Sequence, residues 1–172
     1  MKLSVVSGDI TQISVDGLIT AINSGGMWAG GIDGVIGRVA GGQFHVQARE
    51  LMPLRDGQTI VATGGTLNRG RFRNVVFVVD DLLQKLSEII YKGLCAASDA
   101  GFKSVSLPTI RMGVMLGVVE KTTNEAVGEM ALGVFRFIQD RPNTSIEIIT
   151  FVVYNDASTK SALERILFTA CK

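Results

Sequence analysis

The sequence predicts an α/β fold built on a mostly parallel or mixed β-sheet that is buried on both faces. Segments rich in β-branched residues alternate with longer segments of helical spacing along the 172 residues. The β segments are continuously apolar, which is typical of strands that helices cover on both sides. No linker, repeat or low-complexity segment interrupts the pattern, so we expect one domain spanning residues 1–172.

The first predicted elements are two strands and two helices. Residues 2–7 and 16–23 are short apolar runs that favour strands. Helical patterns follow at 32–40 and 43–51, and Pro53 with the turn sequence after it ends the second of them. A glycine-rich loop therefore lies between the second strand and the first helix.

The middle of the chain predicts a pair of strands, a helix and a further strand. Residues 59–65 and 74–80 are β-branched runs on either side of a turn rich in Gly and Arg, which favours pairing between them. Residues 82–101 carry apolar side chains at helical spacing and end at a glycine in the C-cap position. The run at 104–110 is a strand that leads into a loop.

The last third of the chain predicts a helix, a strand and a helix. Residues 118–140 form a helix that its internal glycines, Gly128 and Gly133, weaken. Residues 145–156 are the longest strand candidate, and residues 157–172 close the chain as a helix. The alternation of strands and helices thus continues to the end of the chain.

Charge and targeting signals exclude several classes of function. The chain has 17 Lys and Arg residues against 16 Asp and Glu residues, and this net charge of +1 does not favour electrostatic nucleic-acid binding. The N-terminus lacks the pattern of a signal peptide, and no apolar run is long enough to span a membrane. We therefore expect a cytoplasmic protein.

Cysteine and histidine positions do not predict a metal site. Cys95 and Cys171 are far apart in sequence, and His45, the one histidine, has no neighbouring ligand. We expect both cysteines to be buried thiols. No metal or cofactor is expected.

Two glycine-containing loops follow predicted strands, and each opens onto a helix. Ligands of open α/β sheets bind beyond the carboxyl ends of the strands, where such loops lie. The loop at 24–34 contains five glycines, and neither it nor the loop at 109–117 matches the P-loop or the dinucleotide-binding fingerprint. One such loop alone is more often structural. Together they would place backbone N–H groups and helix N-termini around an anion, which favours a phosphate or diphosphate ligand.

Five groups of motifs follow one another over nearly the whole chain. They are GDIT at 8–11, AIN at 21–23 with GGIDGVIGRVAG at 30–41, GQTIVATGGTL at 57–67, SVSLPTIRMGVMLG at 104–117 and FVVYND at 151–156. In this order they resemble the macro domain family, whose members bind ADP-ribose. The resemblance implies a three-layer α/β/α fold with a cleft for ADP-ribose or a close derivative at the carboxyl ends of the strands.

The resemblance assigns four residues to the adenine end of this cleft. Asp9 matches the aspartate that accepts a hydrogen bond from the adenine amino group, and Ile10 matches the neighbouring backbone contact. Tyr154 or Asn155 lies where the family packs the adenine ring. A carboxylate suits this position because it can accept from the exocyclic amine.

The resemblance also assigns residues to the diphosphate and the distal ribose. Asn23 matches the asparagine that hydrogen-bonds the distal ribose, and Asp33 matches the aspartate that helps to orient or activate a water in hydrolytic members. The residues that match the two loops around the diphosphate and this ribose are Gly30, Gly31, Ile32, Gly113 and Val114.

Five positions depart from the pattern of hydrolytic relatives. Thr20 stands in place of the first of two asparagines, and Gly37 stands in place of a histidine. Met115 replaces an aromatic residue beside the distal ribose, and Leu116 is an extra residue in the same loop. Arg111 is new near the phosphates, where it can clamp a phosphate through two contacts or lie on the surface as a solvated arginine.

Most of these residues also have a structural interpretation. Asp33 can be an N-terminal helix residue stabilised by the helix dipole, and Asn23 can tie its loop to the strand. Asp9 can be a turn residue, Tyr154 a core residue, and Trp28 can either fold over a ligand or anchor its loop. Three methionines can line the cleft or fill the core, namely Met27, Met112 and Met115.

Three functions are compatible with these residues. The first is a metal-independent hydrolase of an ADP-ribosyl ester or O-acetyl-ADP-ribose, in which Asn23 orients the ribose and Asp33 positions a water as general base. The second is a module that binds ADP-ribose or another nucleotide without turnover, and the third is a structural role with a vestigial cleft. The expected partners are ADP-ribose or a related nucleotide, with an ADP-ribosylated protein as a further candidate, and no membrane.

Overall fold

The computed structural model describes residues 1–26 and 31–169 of the chain. The strands are β1 (Lys2–Ser7), β2 (Val15–Ile22), β3 (Thr59–Thr63), β4 (Phe72–Val79), β5 (Ser104–Pro108) and β6 (Ile148–Val153). The helices are α1 (Gly31–Ala40), α2 (Gln43–Arg49), α3 (Leu86–Asp99), α4 (Thr123–Asp140) and α5 (Ala157–Thr169), with short 3-10 helices at Ile10–Gln12 and Gly113–Met115. No helix within these ranges has both the length and the apolar character needed to cross a lipid bilayer.

The strands form one sheet with the order β1-β6-β5-β2-β4-β3. Four of the neighbouring pairs run parallel, whereas β3 runs antiparallel to β4, with Ile60 opposite Phe77. This confirms the predictions of a mixed, mostly parallel sheet and of pairing between the two β-branched runs. Because the other five strands point the same way, their carboxyl ends meet at one edge of the sheet.

Helices cover both faces of the sheet. On one face, α1 and α2 contribute Ile36 and Phe44 to a buried apolar cluster. On the other face, α3, α4 and α5 contribute Ile90, Val134 and Leu163 to a second cluster. The sheet therefore lies between two helical layers, which confirms the three-layer α/β/α fold and explains why its strands are apolar throughout.

The third helix begins one turn later than its apolar spacing predicts. Leu82 has a left-handed backbone with φ of 63°, and its N–H donates to Oδ1 of Asp80 at 2.9 Å. Leu83, which the periodicity assigns to an apolar face, is 77% exposed. The helix starts at Leu86, where the backbone N–H donates to Oε1 of Glu120 at 3.0 Å. A side chain from a distant segment thus fixes the start of α3.

Two further element boundaries differ from the prediction for local reasons. Helix α4 begins at Thr123 because the hydroxyl of Thr122 caps it by accepting from the N–H of Glu125 at 3.1 Å. Residues 118–121 therefore lie outside the helix. The predicted strand at 145–156 is reduced to β6, since only Ile148–Val153 pairs with β1, and pairing with β5 ends one residue earlier, at Val152.

The two internal glycines of α4 have different surroundings. A Cβ atom at Gly133 would lie 2.6 Å from the carbonyl oxygen of Ser87 and 2.7 Å from Cβ of Ile90, so this glycine lets α4 approach the backbone of α3 closely. A Cβ atom at Gly128 would meet nothing within 4 Å. Gly133 is therefore required by packing, whereas Gly128 only weakens the helix.

The cysteines were expected to be buried thiols. Cys95 is half-buried on α3, and burial raises the pKa of its thiol. Cys171 lies outside the described residues. Within those residues, no group of three or more His, Cys, Asp and Glu side chains is arranged to hold a metal ion.

Candidate functional site

A cleft of about 560 Å³ opens at the carboxyl edge of the sheet. The ends of β5 and β6, the segments that follow β1, β5 and β6, and helix α1 all contribute to its lining. Its lining residues are Gly8, Asp9, Ile10, Gly31, Ile32, Gly34, Val35, Arg38, Pro108, Thr109, Val152 and Tyr154. The volume is within the range of small-molecule sites, and the location is the one expected for a ligand of an open α/β sheet.

Asp9 lies in the cleft lining directly after β1. Its Oδ1 accepts hydrogen bonds from the backbone N–H of Thr11 at 2.9 Å and from the Thr11 hydroxyl at 2.7 Å, which caps the short 3-10 helix. No group in the described part of the chain donates to its Oδ2. Asp9 is therefore a turn residue that still presents one free carboxylate oxygen at the cleft.

Tyr154 follows β6 and lines the same end of the cleft. Its side chain is 80% exposed, so the interpretation of Tyr154 as a core residue is wrong. Asn155, the alternative position, has a left-handed backbone with φ of 49° and is not part of the lining. The aromatic ring beside Asp9 and Ile10 is therefore that of Tyr154, which is free to contact a planar group.

The amino-terminal turn of α1 forms another wall of the cleft. Gly31 has φ of 60°, a left-handed conformation that favours glycine, and it is followed in the lining by Ile32 and Gly34. The backbone N–H groups of a first helical turn have no partners within the helix and carry the positive end of its dipole. This wall of the cleft is therefore suited to an anion.

Arg38 is the cationic side chain of the cleft, and it was not among the predicted site residues. It lies one turn after Gly34 on the same face of α1. Within the described residues no carboxylate forms an ion pair with its guanidinium. The spacing of four residues from Gly34 was the signal in the sequence that could have identified Arg38.

Arg111, by contrast, is neither a solvated surface arginine nor available to clamp a phosphate. The residue is 4% exposed, and its guanidinium donates to both oxygens of Asp80 and to both oxygens of Glu120. A fifth hydrogen bond goes to the carbonyl oxygen of Gln84 at 2.6 Å. Since a guanidinium has five N–H donors, all are used inside the protein.

The Arg111 network holds the second glycine loop in place. Burial opposes the charge of the guanidinium, but the hydrogen bonds and charges of Asp80 and Glu120 outweigh it and raise the pKa of Arg111. The Arg111 backbone is left-handed, with φ of 60°. The network thus joins the end of β4 and the start of α3 to the loop that contains Gly113.

Asp33 forms a buried pair with His45, the one histidine of the sequence. Its Oδ1 lies 2.7 Å from Nε2 of His45, and the two side chains are 7% and 11% exposed, respectively. The sequence analysis did not predict this pair, because it is the turn between α1 and α2 that brings residues 12 positions apart into contact. Asp33 itself is not part of the cleft lining, although Ile32 and Gly34 on either side of it are.

Several other predicted site residues are not among the lining residues of the cleft. Gly113 and Met115 belong to the 3-10 helix of the second loop, together with Val114, and Pro108 and Thr109 line the cleft ahead of them. The carbonyl oxygen of Asn23 accepts from the N–H of Gly26 at 2.9 Å. Three predicted residues of the first loop lie outside the described ranges, namely Met27, Trp28 and Gly30.

Comparison with known proteins shows which protein family the sequence matches. A family model described as Macro domain matches residues 19–126. A macro domain-containing protein of Listeria monocytogenes is 28% identical over 170 residues, which cover 93% of this chain and 94% of that protein. An O-acetyl-ADP-ribose deacetylase of Salmonella newport is 31% identical over 123 residues, which cover 66% of this chain and 68% of that protein.

A solved structure gives the same result for the fold. The Trypanosoma brucei macrodomain in complex with ADP-ribose superposes with a TM-score of 0.79 at 17% sequence identity. The match covers 95% of this chain and 68% of that one. The arrangement of strands and helices is therefore shared even though few residues are identical.

Proposed function

The chain belongs to the macro domain family, and on that premise we propose that its cleft binds ADP-ribose or a close derivative. One observation carries the proposal: the lining of the cleft combines the two kinds of surface that such a ligand needs. It contains a free carboxylate oxygen and an exposed aromatic ring, and also a helix N-terminus and an arginine.

The adenine end of the ligand is proposed to bind between Asp9 and Tyr154. The free Oδ2 of Asp9 accepts a hydrogen bond from the exocyclic amine, and the exposed ring of Tyr154 packs against the base. Ile10 follows Asp9 in the lining and supplies the adjacent backbone contact. Adenine is thereby held by a carboxylate, an aromatic ring and a backbone contact.

The diphosphate is proposed to bind at the first turn of α1. The N–H groups of Gly31 and Ile32 face an anion there, and the helix dipole adds to the attraction. Arg38 supplies the positive charge, because its guanidinium forms no ion pair within the described residues. Arg111 cannot supply it, since its five hydrogen bonds are all made inside the protein. The cationic contact thus comes from α1 and not from the second loop.

Calorimetric titration of the purified protein with ADP-ribose, using AMP and ADP as controls, tests this proposal. We expect ADP-ribose to bind more tightly than either control, and Arg38→Ala to weaken it by about tenfold or more, the scale of a lost charged hydrogen bond. The matched variant Arg165→Ala removes an exposed arginine from α5 and should bind like the wild type. Absence of binding at millimolar ADP-ribose would reject the proposal and leave a module for another nucleotide or the structural role with a vestigial cleft.

A second proposal is that the bound ligand is hydrolysed at its distal ribose. Oδ2 of Asp33 is buried and has no hydrogen-bond partner within the described residues, so it can accept a proton from a water. As the water oxygen adds to the acyl carbon of an ester, its proton passes to Oδ2. The ester C–O bond then breaks, and the ribose oxygen leaves with that proton, giving the acid and ADP-ribose. Asn23 is proposed to orient the ribose.

Turnover of O-acetyl-ADP-ribose to acetate distinguishes the hydrolase from a module that only binds. If the hydrolase proposal holds, Asn23→Ala and Asp33→Ala abolish acetate release while the melting temperature shows a folded protein. Turnover that survives both substitutions would reject this catalytic assignment. Binding of ADP-ribose without any turnover would favour the non-catalytic module, as Thr20 and Gly37 do.

A further inference from the structure

His45 is held rigidly between Asp33 and the sheet. Its Nε2 lies 2.7 Å from Oδ1 of Asp33, and its ring packs against Phe77 of β4 with centroids 5.0 Å apart at an interplanar angle of 51°. The Nε2–Oδ1 distance fits a hydrogen bond in which an Nε2–H group donates to the carboxylate. The imidazole is therefore fixed by packing on its ring and by a hydrogen bond at its tip.

The other oxygen of the Asp33 carboxylate has no partner. Oδ2 is buried, and no group in residues 1–26 or 31–169 donates to it. Buried polar atoms almost always have a partner, so an unpaired carboxylate oxygen marks a place where a donor from a water or a ligand fits. Asp33 is not itself a lining residue of the cleft, but Ile32 and Gly34 on either side of it are, so the backbone at Asp33 adjoins the site already described.

We propose that His45 is a positioning residue for Asp33 in the reaction or binding at this cleft. The Nε2–H group holds Oδ1, and the rigid pair turns Oδ2 toward a hydroxyl of the ligand or the water that attacks it. His45 acts only through Asp33 and does not touch the ligand. This inference rests on the proposed function of the cleft, and it adds α2 to the elements that build the site.

Two substitutions at position 45 separate positioning from packing. His45→Phe keeps an aromatic ring against Phe77 but removes the donor, whereas His45→Gln keeps an N–H group that can reach Oδ1 of Asp33. We expect His45→Phe to lower kcat for O-acetyl-ADP-ribose by about tenfold or more with little change in KM, since a misplaced catalytic group costs this much. His45→Gln should recover most of the lost rate. Equal rates for wild type and His45→Phe, with Asp33→Ala inactive, would overturn the inference and leave the proposed function intact.

A ligand-binding readout completes the test for a protein that binds without turnover. His45 is the one histidine in the sequence, so an untagged, ¹⁵N-labelled sample gives a single set of imidazole signals. We expect the Nε2–H signal to shift when ADP-ribose is added and the effect to disappear in Asp33→Asn. Calorimetric binding with unmoved imidazole signals would overturn the inference alone. Absence of any ADP-ribose binding would reject the proposed function and the inference together.

Discussion

The guanidinium of Arg111 and the carboxylate of Asp80 form a two-point ion pair in the protein interior, with Nη2–Oδ1 at 2.7 Å and Nε–Oδ2 at 2.9 Å. Glu120 accepts from Nη1 of the same guanidinium, and all three side chains are almost fully buried. The pair holds Arg111 in a left-handed backbone conformation that residues other than glycine rarely adopt. It therefore determines how the chain leaves β5 for the second loop.

Loss of this arginine is expected to destabilise the protein strongly. Arg111→Met leaves Asp80 and Glu120 buried without a counter-charge, which should lower the free energy of unfolding by about 3–5 kcal/mol. Urea denaturation measures this difference. Arg136→Met, which removes an exposed ion pair with Glu88, is the control and should have a much smaller effect. Equal effects of the two substitutions would contradict a structural role for the Arg111 network.

Recognition of adenine by Asp9 predicts a change of base preference in Asp9→Asn. The asparagine can keep Oδ1 as the acceptor for Thr11, but it replaces the free Oδ2 by an amide that donates. Binding of ADP-ribose should weaken by about 1–3 kcal/mol, the cost of an unmatched buried polar group. The analogue with hypoxanthine in place of adenine carries a carbonyl at that position, so the variant should discriminate less against it than the wild type does. Competition calorimetry with both ligands checks this, and an unchanged preference would remove Asp9 from the site.

Local sequence patterns were sufficient to predict the type and order of the elements. Continuous apolar runs identified the strands, and helical spacing identified the helices. The errors occur where a distant side chain decides a boundary: α3 begins at Leu86 because Glu120, 34 residues later, accepts its N–H. A periodic pattern alone carries no information about such a contact.

The candidate site was predictable to a similar extent. The order of the motifs predicted that Asp9, Ile10 and Tyr154 would lie together, and they line one cleft. The environments of Arg111 and His45 were not predicted, because their partners lie 31 and 12 residues away in sequence. Whether these residues contact a ligand stays a prediction, since the contacts within the chain do not test it.

The close packing of α4 on α3 predicts opposite effects of two substitutions that are chemically the same. Gly133→Ala places a methyl group 2.6 Å from the carbonyl oxygen of Ser87 and should destabilise the protein by about 1–3 kcal/mol. Gly128→Ala meets no neighbour and should stabilise it by about 0.5–1 kcal/mol through helix propensity. Thermal melting of the two variants compares them directly. A stabilising Gly133→Ala would show that the two helices are farther apart than described.

The N-terminus of α5 gives a prediction about pH. Asp156 accepts hydrogen bonds from the side chain and the backbone N–H of Thr159, at 2.6 Å and 3.0 Å, and these bonds lower the pKa of its carboxyl group. A carboxyl group whose pKa is lower in the folded protein stabilises the fold at any pH above its pKa in the unfolded chain, which is about 3.9. This contribution is lost as the pH falls through the pKa that the group has in the folded protein.

Asp156→Asn isolates this charge effect, because asparagine can still accept from the N–H of Thr159. The variant should be less stable than the wild type by no more than about 1 kcal/mol near neutral pH, since Asp156 is exposed. The difference should shrink toward pH 2. Urea denaturation at several pH values measures it, and a difference that grows on acidification would contradict the sign of the shift.

The most direct test of the proposal that ADP-ribose binds in the cleft is to locate the bound ligand. An amide ¹⁵N–¹H correlation spectrum recorded with and without ADP-ribose reports which residues change their environment. We predict that the largest shifts map to Asp9, Ile10, Gly31, Ile32 and Tyr154 around the cleft. Shifts confined to the separate depression formed by residues 51–58, or no shifts at millimolar ligand, would contradict the assignment of the cleft as the ADP-ribose site.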